Sequence, residues 1–188
     1  MTLETYLYLS ANTLLNSCRL STVVDQAVEA IVTSLSQGRS LLVCGNGGSA
    51  SDAMHIAGEL VARFKLERKA LRVICLCDNP AVLTAWSNDY SYETVFSRQV
   101  EAYGDSGSVL LGLSTSGNSP NVVEAFKTAA RLGLTTVALT GQGGGKLAEL
   151  SDYLLAVPSS DTALIQQVHV CLYHYLCSEV ERLSVESR

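Results

Sequence analysis

His55 and Glu59 stand four residues apart in the stretch LLVCGNGGSASDAMHIAGEL (41–60), so on a helix they share one face. An imidazole and a carboxylate held together in that way can grip a divalent cation or move a proton between adjacent carbons. The same spacing also serves surface ion pairs, but the neighbours in MHIAGEL are apolar and set this pair beside a buried or intersubunit face. Directly ahead lies GNGGSAS (45–51), whose glycines at 45, 47 and 48 let a small ligand approach the backbone, with Asn46 and Ser49 as polar contacts. The spacing is not the GxGxxG of a dinucleotide site, and Asp78 lies beyond the distance at which such a site places its acidic residue.

A second loop, STSGNSPN (114–121), offers hydroxyls at Ser114, Thr115, Ser116 and Ser119, a tight turn at Gly117, and Pro120 where a first helical residue is tolerated. Free backbone N–H groups then point back into the loop, and the whole reads as a phosphate cradle. Simple capping of a helix by serine and asparagine is the plainer alternative. Without a lysine or arginine the loop suits a sugar phosphate held by hydroxyls and amides, rather than a nucleoside triphosphate with magnesium. A third loop, GQGGG (141–145), is the least specific and reads as a turn. Near the end, IQQVHVCLYHYL (165–176) sets Gln166, His169 and His174 in an apolar helix, where imidazoles need partners. Gln166 and His174 are separated by about 12 Å along one helix and roughly 80° around it. Spacing alone therefore prefers Gln166 with His169. It leaves His174 to leaning side chains or to another copy of the helix.

These residues need elements to hold them. Apolar runs at 40–44, 71–77, 108–114, 135–140 and 153–157 do not alternate with polar residues, so they predict strands buried on both faces. Helical patterns lie between them at 50–64, after Pro80, and at 94–102, 120–132 and 146–151, with a long last helix over about 162–185 capped by Asp161. Alternating strand and helix predicts an α/β fold with a parallel sheet and helices on both faces. Ahead of it, Val24, Ala27, Ile31 and Leu35 mark a helical preface over 1–37, broken near Ser21 and stopped by Gly38. The expectation is one domain over 1–188, its core at 38–188, with all three loops at the carboxyl ends of strands, where such sheets bind ligands.

The hydrophobic share is 47% and the charged share 16%, below the roughly 25% charge of an average soluble chain. Some apolar surface is therefore expected to lie against another copy, giving a homo-oligomer. The net charge of −5 is scattered without blocks, so neither nucleic acid nor an anionic membrane is an expected partner. Cys18, Cys44, Cys75, Cys77, Cys171 and Cys177 form no CxxC pair and mostly sit in apolar runs, as small core residues in a reducing compartment. The first twenty residues lack the pattern of a signal peptide and no run approaches the ~20 apolar residues of a membrane span, so a cytoplasmic location is expected.

Five segments, CGNGGSASDAMHIAGEL, AWSNDYSYETVFSRQVEA, STSGNSPNVVEA, LTGQGGGKLAE and VPSSDTALIQQVH, together resemble the SIS (sugar isomerase) domain. Within it they resemble the phosphoheptose, or sedoheptulose 7-phosphate, isomerases, in order and spacing over nearly the whole chain. The resemblance implies a flavodoxin-like three-layer αβα sandwich with a five-stranded parallel sheet, N-terminal helices and a long C-terminal helix. It also implies a homotetramer with active sites at subunit interfaces. The implied reaction is aldose–ketose isomerisation of sedoheptulose 7-phosphate to D-glycero-D-manno-heptose 7-phosphate, an early step towards heptose-containing surface glycans such as lipopolysaccharide in a bacterium.

Carried over residue by residue, the resemblance implies phosphate contacts at Ser114, Thr115, Ser116 and Ser119 and sugar contacts at Asn46, Gly47, Gly48, Ser49, Asn88 and Asp89. Zinc ligands are implied at His55, Glu59, Gln166 and His174, with Glu59 and Gln166 also touching substrate. It prefers His174 to His169, against the spacing argument. Glu59 then moves a proton between C1 and C2 through an enediol, with His174 as the partner acid or base and zinc polarising the oxygens. Leu164 stands where the family usually has arginine before IQ, Gln167 where a glutamate follows, and CDNPAVLTAWSND replaces a more threonine-rich segment. These departures bear on substrate preference rather than reaction type. Two alternatives stay open: a non-catalytic binding protein like the DnaA initiator-associating protein, from which Glu59 and His174 set this chain apart, and an isomerase of another phosphosugar.

Overall fold

Each apolar run becomes a strand in the computed structural model, which describes residues 1–186; positions 187 and 188 of the expected domain lie outside the described residues. The strands are β1 (Leu41–Gly45), β2 (Val73–Cys75), β3 (Val109–Ser114), β4 (Thr135–Thr140) and β5 (Tyr153–Ala156). All pairings are parallel and the order is β2-β1-β3-β4-β5. Around them lie α1 (Leu3–Asn16), α2 (Ser21–Ser36), α3 (Gly48–Val61), α4 (Pro80–Asp89), α5 (Val95–Tyr103), α6 (Pro120–Leu132) and α7 (Thr162–Glu186). Alternate strand residues divide between two cores: Leu41 and Val43 pack with α2, α3 and α7, while Leu42 and Cys44 pack with α5 and α6. This is the three-layer sandwich, and the lack of polar alternation in the strands follows from burial on both sides.

Two expected elements are shorter. The run 71–77 contributes only a three-residue strand, because β2 is an edge strand that pairs with β1 alone and the chain turns away after Cys75. The helix expected at 146–151 is a 3-10 turn over Gly145–Glu149, since Gly143, Gly144 and Gly145 all take positive φ (81°, 74° and 54°) and delay any helical start. The cysteines also divide: Cys44, Cys75 and Cys177 are buried as expected, whereas Cys18 and Cys171 are exposed, on turns of helix that face away from the core.

The strand order reverses between β1 and β3. Their following loops leave towards opposite faces, one into α3 and the other into α6, and open the crevice in which such sheets bind ligands. On α3, Ala53, Ile56, Ala57 and Leu60 are buried at helical spacing. Full burial of Ile56 and Leu60 is worth ~1.5–3 kcal/mol each and fixes the helix with His55 and Glu59 on its outer shoulder. The last helix starts where Asp161 Oδ1 accepts from the N–H groups of Ala163 (2.9 Å) and Leu164 (3.2 Å). α3 and α7 then run in the same direction: Gly48 meets Gln166, His55 meets Tyr173, and the segment after α3 meets Glu181.

Candidate active site

The turn into α3 needs its glycines for two separate reasons. Gly47 has φ 56°, and a Cβ on Gly48 would come within 2.7 Å of Gln166 Nε2. Asn46, just ahead of them, is fixed by a reciprocal amide pair. Its Nδ2 donates to Asn121 Oδ1 (2.8 Å), its Oδ1 accepts from Asn121 Nδ2 (2.9 Å), and the Tyr92 hydroxyl donates to the same oxygen (2.8 Å). Asn121 is buried and Tyr92 exposed at the rim. Asn46 therefore joins the loops after β1 and β3 to the turn that follows Asn88 and Asp89. Those two residues are exposed at the end of α4, where Asn88 Nδ2 donates to Asp89 Oδ1 at 2.9 Å.

In the second loop the Ser114 and Ser119 hydroxyls are 2.9 Å apart, Ser114 and Ser116 3.5 Å, and Asn118 N–H donates to Ser116 Oγ at 3.1 Å. Pro120 opens α6, but the Ser119 side chain makes no cap bond to it. The hydroxyls of Ser114, Ser116 and Ser119 thus face one another across the loop, while Asn121 Oδ1 accepts from Val122 N–H at 3.0 Å in the first turn. The GQGGG loop is more than a turn. Gly117 packs so tightly on the Gly144 carbonyl that a Cβ has no room, Lys146 N–H donates to Asn118 Oδ1 (3.0 Å), and Leu147 N–H to Gly117 O (3.1 Å). It buttresses the cradle from behind.

The chemistry-bearing side chains gather one helix face further on. His55 Nε2 is 3.0 Å from Glu59 Oε1, with the two side chains 45% and 24% exposed, accessible to a ligand but not free in solvent. The His174 ring lies edge-on to His55 (centroids 5.1 Å, 79°) and stacks on Phe64 (5.9 Å, 25°). One chain is enough to bring His174 to His55, because α7 follows α3 rather than crossing it. The Gln166 amide lies against Gly48 at the turn into the same helix α3. Two imidazoles and a carboxylate are a donor set that suits zinc in kind, although among the described residues no three such groups already converge at ligand distance.

His169 takes no part, which overturns the pairing that spacing preferred. Its ring is fully buried, its Nε2 lies 3.2 Å from Thr140 O, and burial pushes its pKa down to about 4, so it is a neutral pin between α7 and β4. Three further groups were invisible in the sequence. Tyr173 lies within 3.1 Å of His55 Nδ1 and donates to Asp52 Oδ1 at 3.4 Å; burial, reinforced by Asp52, pushes its phenol up, so the hydroxyl keeps its proton. Glu181, buried beside Arg68 (3.2 Å), accepts from Phe64, Lys65 and Leu66 N–H. Burial opposes its charge, but those N–H groups and Arg68 prevail and hold its pKa below the ordinary value. Arg68 in turn donates to the Glu59 carbonyl at 2.9 Å.

A doubly wound sheet with a hydroxyl cradle and a glycine turn at its switch point defines a class: the sequence model of the SIS domain family matches residues 8–141. The chain is 50% identical over 163 residues to a phosphoheptose isomerase from Helicobacter pylori (strain P12), covering 87% of this chain and 85% of that protein. It is 47% identical over 159 residues to one from Clostridium acetobutylicum, covering 85% and 81%. Among solved structures, a phosphoheptose isomerase from Francisella tularensis superposes with a TM-score of 0.93 at 35% identity, over 97% of this chain and 100% of that one. Another from Neisseria gonorrhoeae gives 0.89 at 38%, over 95% and 96%. The chain belongs to the SIS domain family and, within it, to the phosphoheptose isomerases.

Proposed function

We infer that this chain isomerises sedoheptulose 7-phosphate to D-glycero-D-manno-heptose 7-phosphate. The observation that carries the reading is the meeting of His55, Glu59 and His174 where α3 and α7 run side by side. Ser114, Thr115, Ser116 and Ser119 hold the phosphate, with the α6 N-terminus favouring its charge. Asn46, Gly47, Gly48, Ser49, Asn88, Asp89 and Gln166 orient the sugar. Glu59 takes a proton from C1 of the ketose, leaving an enediol, and returns it to C2, while His174 carries the hydroxyl proton from O1 to O2.

The same reading assigns zinc to His55, Glu59 and His174, with Gln166 as the fourth ligand of the family pattern. When bound, zinc supplies positive charge that polarises the sugar oxygens. The working unit is a homotetramer with sites at its interfaces; exposed Leu3, Leu7, Tyr8 and Leu15 on α1, a helix with no buried residue, support self-association. Among the described residues no helix is long and apolar enough to cross a membrane. That, with six free cysteines, supports placement in the cytoplasm, with the whole chain acting as one unit. The test compares initial rates on ketose phosphates of five, six and seven carbons. A clear preference for the seven-carbon sugar is expected, and equal or better turnover of a shorter one overturns the heptose assignment.

A further inference from the structure

Tyr173 is a hydroxyl that the reaction above does not use, yet it sits at its centre. The residue is 2% exposed, and its ring meets both His55 and His174 edge-on (centroids 5.4 Å and 4.9 Å). Its oxygen lies between two partners on α3, His55 Nδ1 at 3.1 Å and Asp52 Oδ1 at 3.4 Å. Across the imidazole, Nε2 faces Glu59 Oε1 at 3.0 Å. Asp52, Tyr173, His55 and Glu59 thus form one unbroken line of polar contacts that crosses from α3 to α7 and back.

One hydroxyl proton serves one neighbour at a time, and that limit gives the line two states in which His55 Nδ1 is hydrogen-bonded to Tyr173. With the ring proton on Nε2 and donated to Glu59, Nδ1 is a lone pair and accepts from Tyr173. With the ring proton on Nδ1, that N–H donates to the Tyr173 oxygen, the hydroxyl turns to Asp52, and Nε2 presents a bare lone pair beside Glu59. Only the second state lets His55 ligate a cation, and ligating imidazoles are generally fixed through their other nitrogen in this way. Phenylalanine at 173 keeps the ring contacts but leaves Nδ1 without a partner in either state.

We propose that Tyr173, backed by Asp52, is a positioning residue that keeps His55 Nδ1 hydrogen-bonded in both tautomers, so that Nε2 can give up its proton and become available as a zinc ligand. The proposal rests on the reading of His55 and Glu59 as zinc ligands. The test titrates Zn2+ into the metal-free full-length wild type, Tyr173→Phe and Asp52→Asn by competition with a chromophoric chelator. In parallel, 15N NMR of histidine-labelled, metal-free and zinc-loaded protein reads the His55 tautomer.

The expected result is about 10- to 100-fold weaker zinc binding in Tyr173→Phe, a smaller loss in Asp52→Asn, and a move of the wild-type ring proton from Nε2 to Nδ1 on loading. Tyr173→Phe binding zinc as tightly as wild type, with an unchanged melting temperature, overturns the proposal while the zinc reading stands. Wild type that binds no zinc overturns both; retained turnover of the heptose phosphate in chelator would then leave the isomerase reading intact. Should Tyr173→Phe fail to fold, Asp52→Asn decides, since Asp52 is half-buried on the outer side of α3. Unchanged zinc affinity there overturns the relay.

Discussion

Replacing Glu181 with glutamine removes one negative charge from a place where every neighbour is a donor. In the native protein Oε1 faces Phe64 N–H (3.0 Å) and Arg68 Nε (3.2 Å), while Oε2 accepts from Lys65 (2.7 Å) and Leu66 (2.8 Å). A glutamine carries one oxygen and one NH2. If the oxygen takes the two shorter bonds, the NH2 confronts Phe64 N–H and the Arg68 guanidinium, both buried. Breaking one side of a buried ion pair costs about 3–5 kcal/mol, a large share of the ~5–15 kcal/mol that holds a domain folded. Urea denaturation at fixed protein concentration and pH 7 reads the loss. With slopes of about 1–3 kcal/mol per molar urea, the midpoint falls by at least ~1 M at unchanged slope. The same carboxylate holds the segment that lays Phe64 on His174, so turnover drops well below the melting temperature while substrate affinity changes less. A midpoint shift corresponding to under about 1 kcal/mol would refute the argument: the buried pair would then behave as an exposed one.

Three further outcomes follow from the geometry. His169 has its pKa lowered from 6.5 to about 4, so between those values the unfolded chain binds a proton that the folded one refuses, and stability falls as pH drops through the window. The wild type should lose roughly 2–3 kcal/mol more than His169→Gln between pH 7 and 4.5 in urea melts; equal losses contradict the buried-neutral reading. Gly48→Ala puts a methyl 2.7 Å from Gln166 Nε2, the movable end of a side chain, so Michaelis constants should rise several-fold with a melting temperature close to wild type. Dialysis against a chelator should lower turnover and added zinc restore it; full activity in chelator would remove zinc from the reaction.

The legible parts of this molecule are those in which cause and effect lie close in the chain. Five apolar runs define the sheet because burial between two layers forbids polar alternation, and His55 with Glu59 stand out because a single helix turn joins them. Where partners are remote, nothing local betrays them. Glu181 and Phe64 are 117 positions apart, Asn46 and Asn121 are 75 apart, and Tyr173 finds His55 across 118. The choice between His169 and His174 could not be made from α7 alone, since it depends on α3 lying alongside in the same direction. The buttress made by GQGGG was hidden for a similar reason: its glycines answer to the neighbouring loop rather than to their own turn.

The central claim is that Glu59 shuttles a proton between C1 and C2 of a seven-carbon ketose phosphate. Proton NMR of sedoheptulose 7-phosphate in D2O, with zinc-supplied wild type beside Glu59→Gln, tests it directly. The account predicts aldoheptose 7-phosphate carrying deuterium at C2 in the wild-type sample, and a rate lower by about 100-fold or more in the variant. An unchanged ketose in the wild-type sample, or equal turnover by the variant, would contradict it.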